Sequence, residues 1–415
     1  MSPEFTSSVR RRIIAILFVV SSLAAAAQVA YFTLMPIIAA DLSGNDSAAG
    51  IPSTLGLLFR ALTTYPLGWL MGRAGRRLGL TLGLFIGMVG TGISAWAIGV
   101  GHFWIFAFGA GIAGVARGAA DLSRYAAAEV SPPERRAKVI GWIVFAGTIG
   151  ALMGPVLVSP AANLAGNLGL VPETGPFWAA TIVLFLAIVL TFVFVRPDPL
   201  IISRQMAAIE REAGEALLEN PSRPIRGLLK HWNVRLGIAA MAIGQLVMTM
   251  IMVITPLHMN HAGHGVGAIS FVILAHQLGM FGLSSLTGWF VDRTSAATVI
   301  IAGSLLLVVS SLLSPFATSI PSLTVSLFLL GLGWNLCFIA GSALLAVGLA
   351  PAEGARLQGM GDTWASAASA VGSLSSGILF TMGTMSLVGA VGLGFSLALI
   401  AAWVLARQRA VAARA

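Results

Sequence analysis

Twelve apolar runs, six on each side of one polar segment, constrain this chain more than any other feature. They fall at roughly 13–39, 50–72, 79–99, 103–127, 137–159 and 176–196, then 235–258, 268–291, 297–317, 322–349, 363–384 and 387–407. Each holds about 20 residues or more, which is what a helix needs to cross about 30 Å of hydrocarbon. Inside lipid the backbone must satisfy its own hydrogen bonds, and a helix does so within one segment. The chain is therefore read as an all-α integral membrane protein with twelve transmembrane helices. Two six-helix bundles, 1–196 and 235–415, are joined by a linker at 197–234. With 57% of residues hydrophobic and 9% charged, a soluble domain of this length is excluded. The 48 glycines fit the same reading, because small residues let membrane helices approach closely.

A net charge of +9 suggests nucleic acid in a soluble protein. Here the charge has another cause, and no nucleic-acid partner is expected. The basic residues gather on alternate loops: Arg10 to Arg12, Arg73 to Arg77, Arg135 to Lys138, Arg196 to Arg235, Arg293, Arg356, and Arg407 to Arg414. That is the positive-inside pattern, which places both termini and the linker in the cytoplasm and the protein in a bacterial inner membrane. The first run follows Arg10-Arg11-Arg12 and reads as a retained helix rather than a signal peptide. In the linker Ile202, Met206, Ile209, Ala213 and Leu217 recur at helical spacing beside Glu210, Arg211 and Glu215, which predicts an amphipathic helix tethering the bundles. Cys337 is the sole cysteine and excludes an intrachain disulfide. No nucleophile and base constellation or cofactor motif appears, so neither enzyme activity nor a cofactor is expected. The lipid bilayer is the expected surrounding and a monomer the expected state.

The halves repeat. Gly68-Trp-Leu-Met-Gly-Arg73 after the second run matches Gly288-Trp-Phe-Val-Asp-Arg293 after the eighth, and Ser131-Pro-Pro-Glu-Arg-Arg136 has a looser counterpart in Ala350-Pro-Ala-Glu-Gly-Ala-Arg356. Two six-helix repeats on one cytoplasmic linker resemble a major facilitator transporter, whose binding site lies near the midplane. Gly68-x-Leu70-x-Gly72-Arg73-x-Gly75-Arg76-Arg77 resembles that superfamily's signature loop, with Gly72 where an Asp is usual, while Asp292 keeps the acid in the second half. The resemblance gives Arg73 and Asp292 a gating role. Gly150-x-x-x-Gly154-Pro155 resembles the fifth-helix motif of antiporters, although Val158 and Ser159 replace its closing glycines. By the same resemblance Gln28 and Tyr31 in the first helix, and Trp334 and Asn335 in the tenth, are expected to line the cavity.

For cargo, Met248-x-x-x-Met252 and His276-x-x-x-Met280 carry the argument. Residues four apart share a helix face, so each pair offers two side chains to one point. At about 1.5 Å per residue, Met248, Met252, His276 and Met280 lie roughly 20, 25, 22 and 16 Å above the inner boundary, close enough in depth to make one site or a ladder. Thioether and imidazole suit Cu(I), whereas magnesium and calcium want oxygen. The paired motif resembles the CcoA-like copper importers, which supply copper for cytochrome oxidase assembly. The resemblance implies copper import by alternating access, with the ion as transported substrate. Alone, each methionine reads equally as a gap-filler in helix packing. His276, an ionisable group inside an apolar span, serves metal or proton transfer. His261 and His264 in the outer loop read as metal gatherers at the entrance or as solvated residues, and Cys337 as a path ligand or a small hydrophobe.

A second reading rests on charges within the membrane. Arg60 falls in the second span, and Arg117 and Asp121 lie four apart in the fourth. Such charges need a partner or a wet cavity. Arg117 and Asp121 are expected to pair, with Arg124 as competitor. Asp121 is the candidate for proton coupling, while Arg60 and Arg117 suit an anionic organic substrate. On that reading the protein is a proton-coupled carrier for riboflavin uptake or drug efflux, since some relatives of the copper importers are thought to move riboflavin.

Overall fold

The computed structural model describes residues 7–212, 225–229, 231–345 and 351–412. Ten segments of this described part are long and apolar enough to cross a membrane. One of them, Val266–Arg293, is a single crossing in three pieces: α10 (Val266–Gln277), a π turn (Leu278–Gly282) and α11 (Ser284–Arg293). Helix α2 (Ile51–Ala74) carries Arg60 and by its length adds another crossing. Helix α14 (Pro351–Ala412) spans twice, because its backbone breaks at Gly383 and Thr384, where Thr384 adopts a φ of 55°. Twelve crossings result, as the apolar runs predict.

The chain divides into two compact units, Met1–Leu42 with Leu55–Leu218, and Ser43–Thr54 with Glu219–Ala415. In the first unit α1 (Ser7–Ser43) packs on α5 (Pro133–Asn167), where the hydroxyls of Ser21 and Ser22 donate to the carbonyls of Ile143 and Ala146. Gly150 and Gly154, the antiporter-like pair, sit at this seam. A Cβ on either would collide with α1 at Ser22 or Val29, so these glycines permit close packing. Helix α3 (Arg76–Val100) packs on α4 (Phe103–Glu129) and α6 (Gly175–Phe194). At the basic end Ile13, Leu17, Met71, Leu80, Ile143 and Val195 form a cluster that also takes in Ile202 of α7 (Pro199–Glu212). Ile202, the first apolar residue of the predicted amphipathic helix, is thus packed inside the unit. Ala213 and Leu217 lie outside the described residues, as do the side chains of Met206 and Ile209.

In the second unit a short α8 (Ile225–Leu228) precedes α9 (Trp232–His261), which packs on α13 (Ile320–Leu344) and α14, and α12 (Ala296–Leu313) packs on α13. Helix α9 runs three residues past its apolar stretch. It ends where Gly263 takes a φ of 79° and the His264 N–H donates to the Met259 carbonyl, a left-handed glycine stop. His261, expected in the outer loop, is therefore the last residue of the helix. Residues Ser43–Thr54 are held to this unit through the Gly50 carbonyl, which accepts from the hydroxyls of Ser53, Thr54 and Ser373.

Candidate functional site

The crossing that carries His276 and Met280 is not a regular helix. His276 lies in the last turn of α10, and the π turn Leu278–Gly282 begins two residues later. A π turn holds one residue more than an α turn and is often found at functional sites. The extra residue rotates the downstream segment by about 100°, so Met280 is not stacked one α-turn below His276 as the four-residue spacing predicts. The approach of α13 accompanies this departure. Gly331 packs against the His276 carbonyl and the Met280 N–H, and Gly279 against the Phe328 carbonyl, with no room for a Cβ at either glycine.

His276 is fully enclosed. Its Nδ1 lies 2.9 Å from the Leu327 carbonyl. A carbonyl only accepts, so Nδ1 carries the proton and Nε2 presents its lone pair. That Nε2 is buried and has no hydrogen-bond partner among the described residues, a state His258 Nε2 shares. A metal-binding imidazole is oriented in this way, its other nitrogen fixed by a carbonyl. Met248, Met252 and Met280 are buried as well. Burial alone does not single them out, because Met250 and Met259 are at least as enclosed.

Asn335 of α13 holds the π turn. Its Nδ2 donates to the Met280 carbonyl at 2.6 Å and to the Ser284 hydroxyl at 2.9 Å, while its Oδ1 accepts from the Thr287 hydroxyl. Asn335, expected from the sequence to line a cavity, is buried here and hydrogen-bonded to these neighbours. One position earlier, Trp334 donates from Nε1 to Gln245 Oε1 at 2.7 Å and stacks on Phe338. Gln245 in turn donates to Thr249 and Ser369. Cys337 is fully buried, in contact with Gly244 of α9 and Gly303 of α12, with its Sγ 3.7 Å from the Ile300 carbonyl. It packs at a three-helix junction, as the small-hydrophobe reading expects.

The outer histidines have protein partners. His264 Nε2 lies 2.8 Å from the Thr318 carbonyl, His261 Nε2 lies 3.6 Å from Asp46, and both His258 and His261 contact the Phe380 ring. No group of three or more His, Cys, Asp or Glu is arranged to hold a metal ion among the described residues. A soft site here has to draw on thioethers.

In the first unit Asp121 binds two arginines. Its carboxylate lies 2.6 Å from Arg60 Nη2 and 3.2 Å from Arg117 Nε, so Arg60 joins the pair the spacing predicts. Arg124 stacks on Tyr125. Tyr31, expected to line a cavity, is buried against Phe177 inside the unit, and Gln28 is partly buried. Arg73 covers Trp69 at 4.2 Å and Arg293 covers Trp289 at 4.9 Å, one contact in both halves of the repeat. Asp292 is exposed. Sequence reasoning missed Asp198, whose carboxylate accepts from the Arg76 and Arg77 N–H groups at the start of α3, and the two-pronged Arg76 to Glu129 pair. The N-terminal position of α3, just past the positive-φ Gly75, is the signal that an acidic partner is wanted there.

Two repeated sets of six crossings, with Arg60 and Asp121 paired at the second and fourth helices of the first set and His276 and Asn335 buried at the corresponding helices of the second, are the architecture of a polytopic secondary transporter. The chain belongs to the Major Facilitator Superfamily, which it matches over residues 17–274. It is 32% identical over 98% of its length to an uncharacterised MFS-type transporter, YdeG of Bacillus subtilis, covering 95% of that protein. It is 27% identical to the riboflavin transporter RfnT of Brucella anthropi, over 85% of each chain. Among solved structures, the xylose transporter XylE from E. coli shares the fold with a TM-score of 0.69 at 16% identity, covering 94% of this chain and 97% of that one.

Proposed function

We propose that this transporter imports copper, as the cuprous ion, across a bacterial inner membrane with both termini in the cytoplasm. The observation that carries the reading is His276 Nε2, a bare lone pair enclosed in the second unit with its tautomer fixed by the Leu327 carbonyl. Met248, Met252 and Met280 supply thioethers on the same two crossings. Imidazole and thioether favour Cu(I), and magnesium and calcium are disfavoured for want of oxygen ligands. Transport needs ligands that exchange, and neutral donors without a thiolate cage release the ion as readily as they select it. On this reading the copper is cargo, the protein acts as a monomer without a cofactor, and the chain is a carrier and not an enzyme.

A second reading, a proton-coupled carrier of riboflavin or another small organic molecule, is favoured by the relationship to a riboflavin transporter. The amide of Gln245 and the rings of Trp334, Phe338 and Phe281 suit a planar aromatic substrate. The anion-binding version of this reading is weakened because Asp121 already takes both Arg60 and Arg117. Copper uptake by cells producing the protein, set beside the His276→Ala variant at equal membrane levels, tests the choice. Uptake that depends on His276 is expected. Copper uptake absent from both proteins, with riboflavin uptake present, transfers the assignment to the second reading.

A further inference from the structure

We infer that Asn335 is a positioning residue that sets the reach of Met280 by holding the π turn of the eighth crossing. The inference rests on the copper reading above. An α-helix closes every interior N–H on the carbonyl four residues back, whereas a π turn lengthens that ring and loosens the ladder around it. A carbonyl freed inside a membrane needs another donor. Inside this turn the Met280 carbonyl takes such a side-chain donor, Asn335 Nδ2 at 2.6 Å. The same amide is fixed on its other two sides. Its second N–H reaches Ser284, the first residue of α11, and its Oδ1 takes the Thr287 hydroxyl one turn further on.

One side chain from α13 thus bonds both to the π turn and to α11 beyond it. The consequence is geometric. If the π turn relaxed to α, the extra residue would be redistributed and the segment after His276 would rotate by about 100°. Met280 would leave its present direction while His276, tied independently to the Leu327 carbonyl, stayed in place. Both anchors belong to α13: Leu327 holds the imidazole and, eight residues on, Asn335 holds the methionine. Helix α13 is therefore the template that fixes the relation between the two candidate ligands of this crossing. Gly331, midway between them, lets the template lie close enough to do so.

The test uses the full-length protein in proteoliposomes, with saturable uptake of cuprous copper and its KM as readouts. The variants are Met280→Ala, Asn335→Leu, Thr287→Val and the double variant Asn335→Leu/Met280→Ala. Asn335→Leu is expected to raise KM by about tenfold, as loss of a hydrogen-bond partner behind a ligand does at metal sites, with membrane levels retained. In the double variant KM should be no higher than in Met280→Ala alone, because a positioning residue has nothing left to position. Additive effects, or an Asn335→Leu protein with wild-type KM while Met280→Ala is impaired, overturn the inference and leave the copper reading standing. If Asn335→Leu does not accumulate, Thr287→Val decides: it keeps the amide and removes only the hydroxyl that orients it. A smaller rise in KM that vanishes in the Met280→Ala background supports the inference, and an unchanged KM overturns it. Absence of copper uptake by the unaltered protein overturns both the copper reading and the inference built on it.

Discussion

The two halves of the repeat handle buried polarity in opposite ways. In the first unit the second and fourth helices meet at a charged cluster, Arg60 and Arg117 around Asp121. In the second unit the corresponding helices meet at a neutral one, with His276 on the Leu327 carbonyl and Asn335 on the π turn. In the charged cluster every group named has an opposite charge within reach. The neutral cluster leaves His276 Nε2 without a partner among the described residues, a state shared by side-chain atoms of Thr81, Arg124 and Ser159 in the first unit and of His258 and Ser311 in the second. A buried polar atom without a protein partner is costly and calls for an ordered water or a ligand. A partly exposed ion pair within a membrane span is ordinary stabilisation or a proton relay. On the copper reading proposed above, cargo falls to the second unit and structure or coupling to the first.

The strongest way to break the contrast is His276→Ala. It should abolish saturable copper uptake while the protein remains folded and in the membrane, and normal uptake would end the assignment of cargo to the second unit. Asp121→Asn should behave in the opposite manner. It strips the charge partner from two arginines and should destabilise the first unit by about 3 kcal/mol, the low end for a buried pair because these side chains keep some exposure. Thermal unfolding of the purified protein measures that loss, and the KM for copper should not move. If Asp121 also couples protons, the variant should flatten the pH dependence of transport. An unchanged profile returns Asp121 to a structural role.

A matched pair of glycine substitutions sharpens the comparison further. Gly114 brings α4 against the Gly56 carbonyl of α2, and Gly331 brings α13 against the His276 carbonyl of α10, so the same helix junction is glycine-spaced in both halves. Gly114→Ala and Gly331→Ala should each cost about 1–3 kcal/mol through overpacking. Only Gly331→Ala should also weaken copper uptake, because it alone shifts the template behind His276 and Met280. The smallest effect is expected from Asp198→Ala, which removes the acceptor for two N–H groups at the start of α3. Loss of a cap costs about 1 kcal/mol, visible as a lower unfolding temperature with transport unchanged.

The apolar runs, the alternation of basic loops and the internal repeat were sufficient for the twelve crossings, because a membrane segment must close its hydrogen bonds within itself and its length is set by the bilayer. The placement of Arg117 beside Asp121 was legible for the same local reason, four residues on one helix. What was not legible depends on helices brought together from distant parts of the chain. No spacing rule announces that Arg60 joins Asp121, that Asp198 closes the start of α3, or that Cys337 is walled in by Gly244 and Gly303.

The motif His276-x-x-x-Met280 shows the division most clearly. Residue types alone name a soft, neutral donor set, because imidazole and thioether chemistry does not depend on the fold. The direction in which those donors point was decided by tertiary structure. The turn between them is π and not α, and the amide that supports it comes from Asn335, 55 residues further along the chain. A helical period read from sequence assumes an unbroken ladder, and here a neighbouring helix supplies the donor that lets the ladder break.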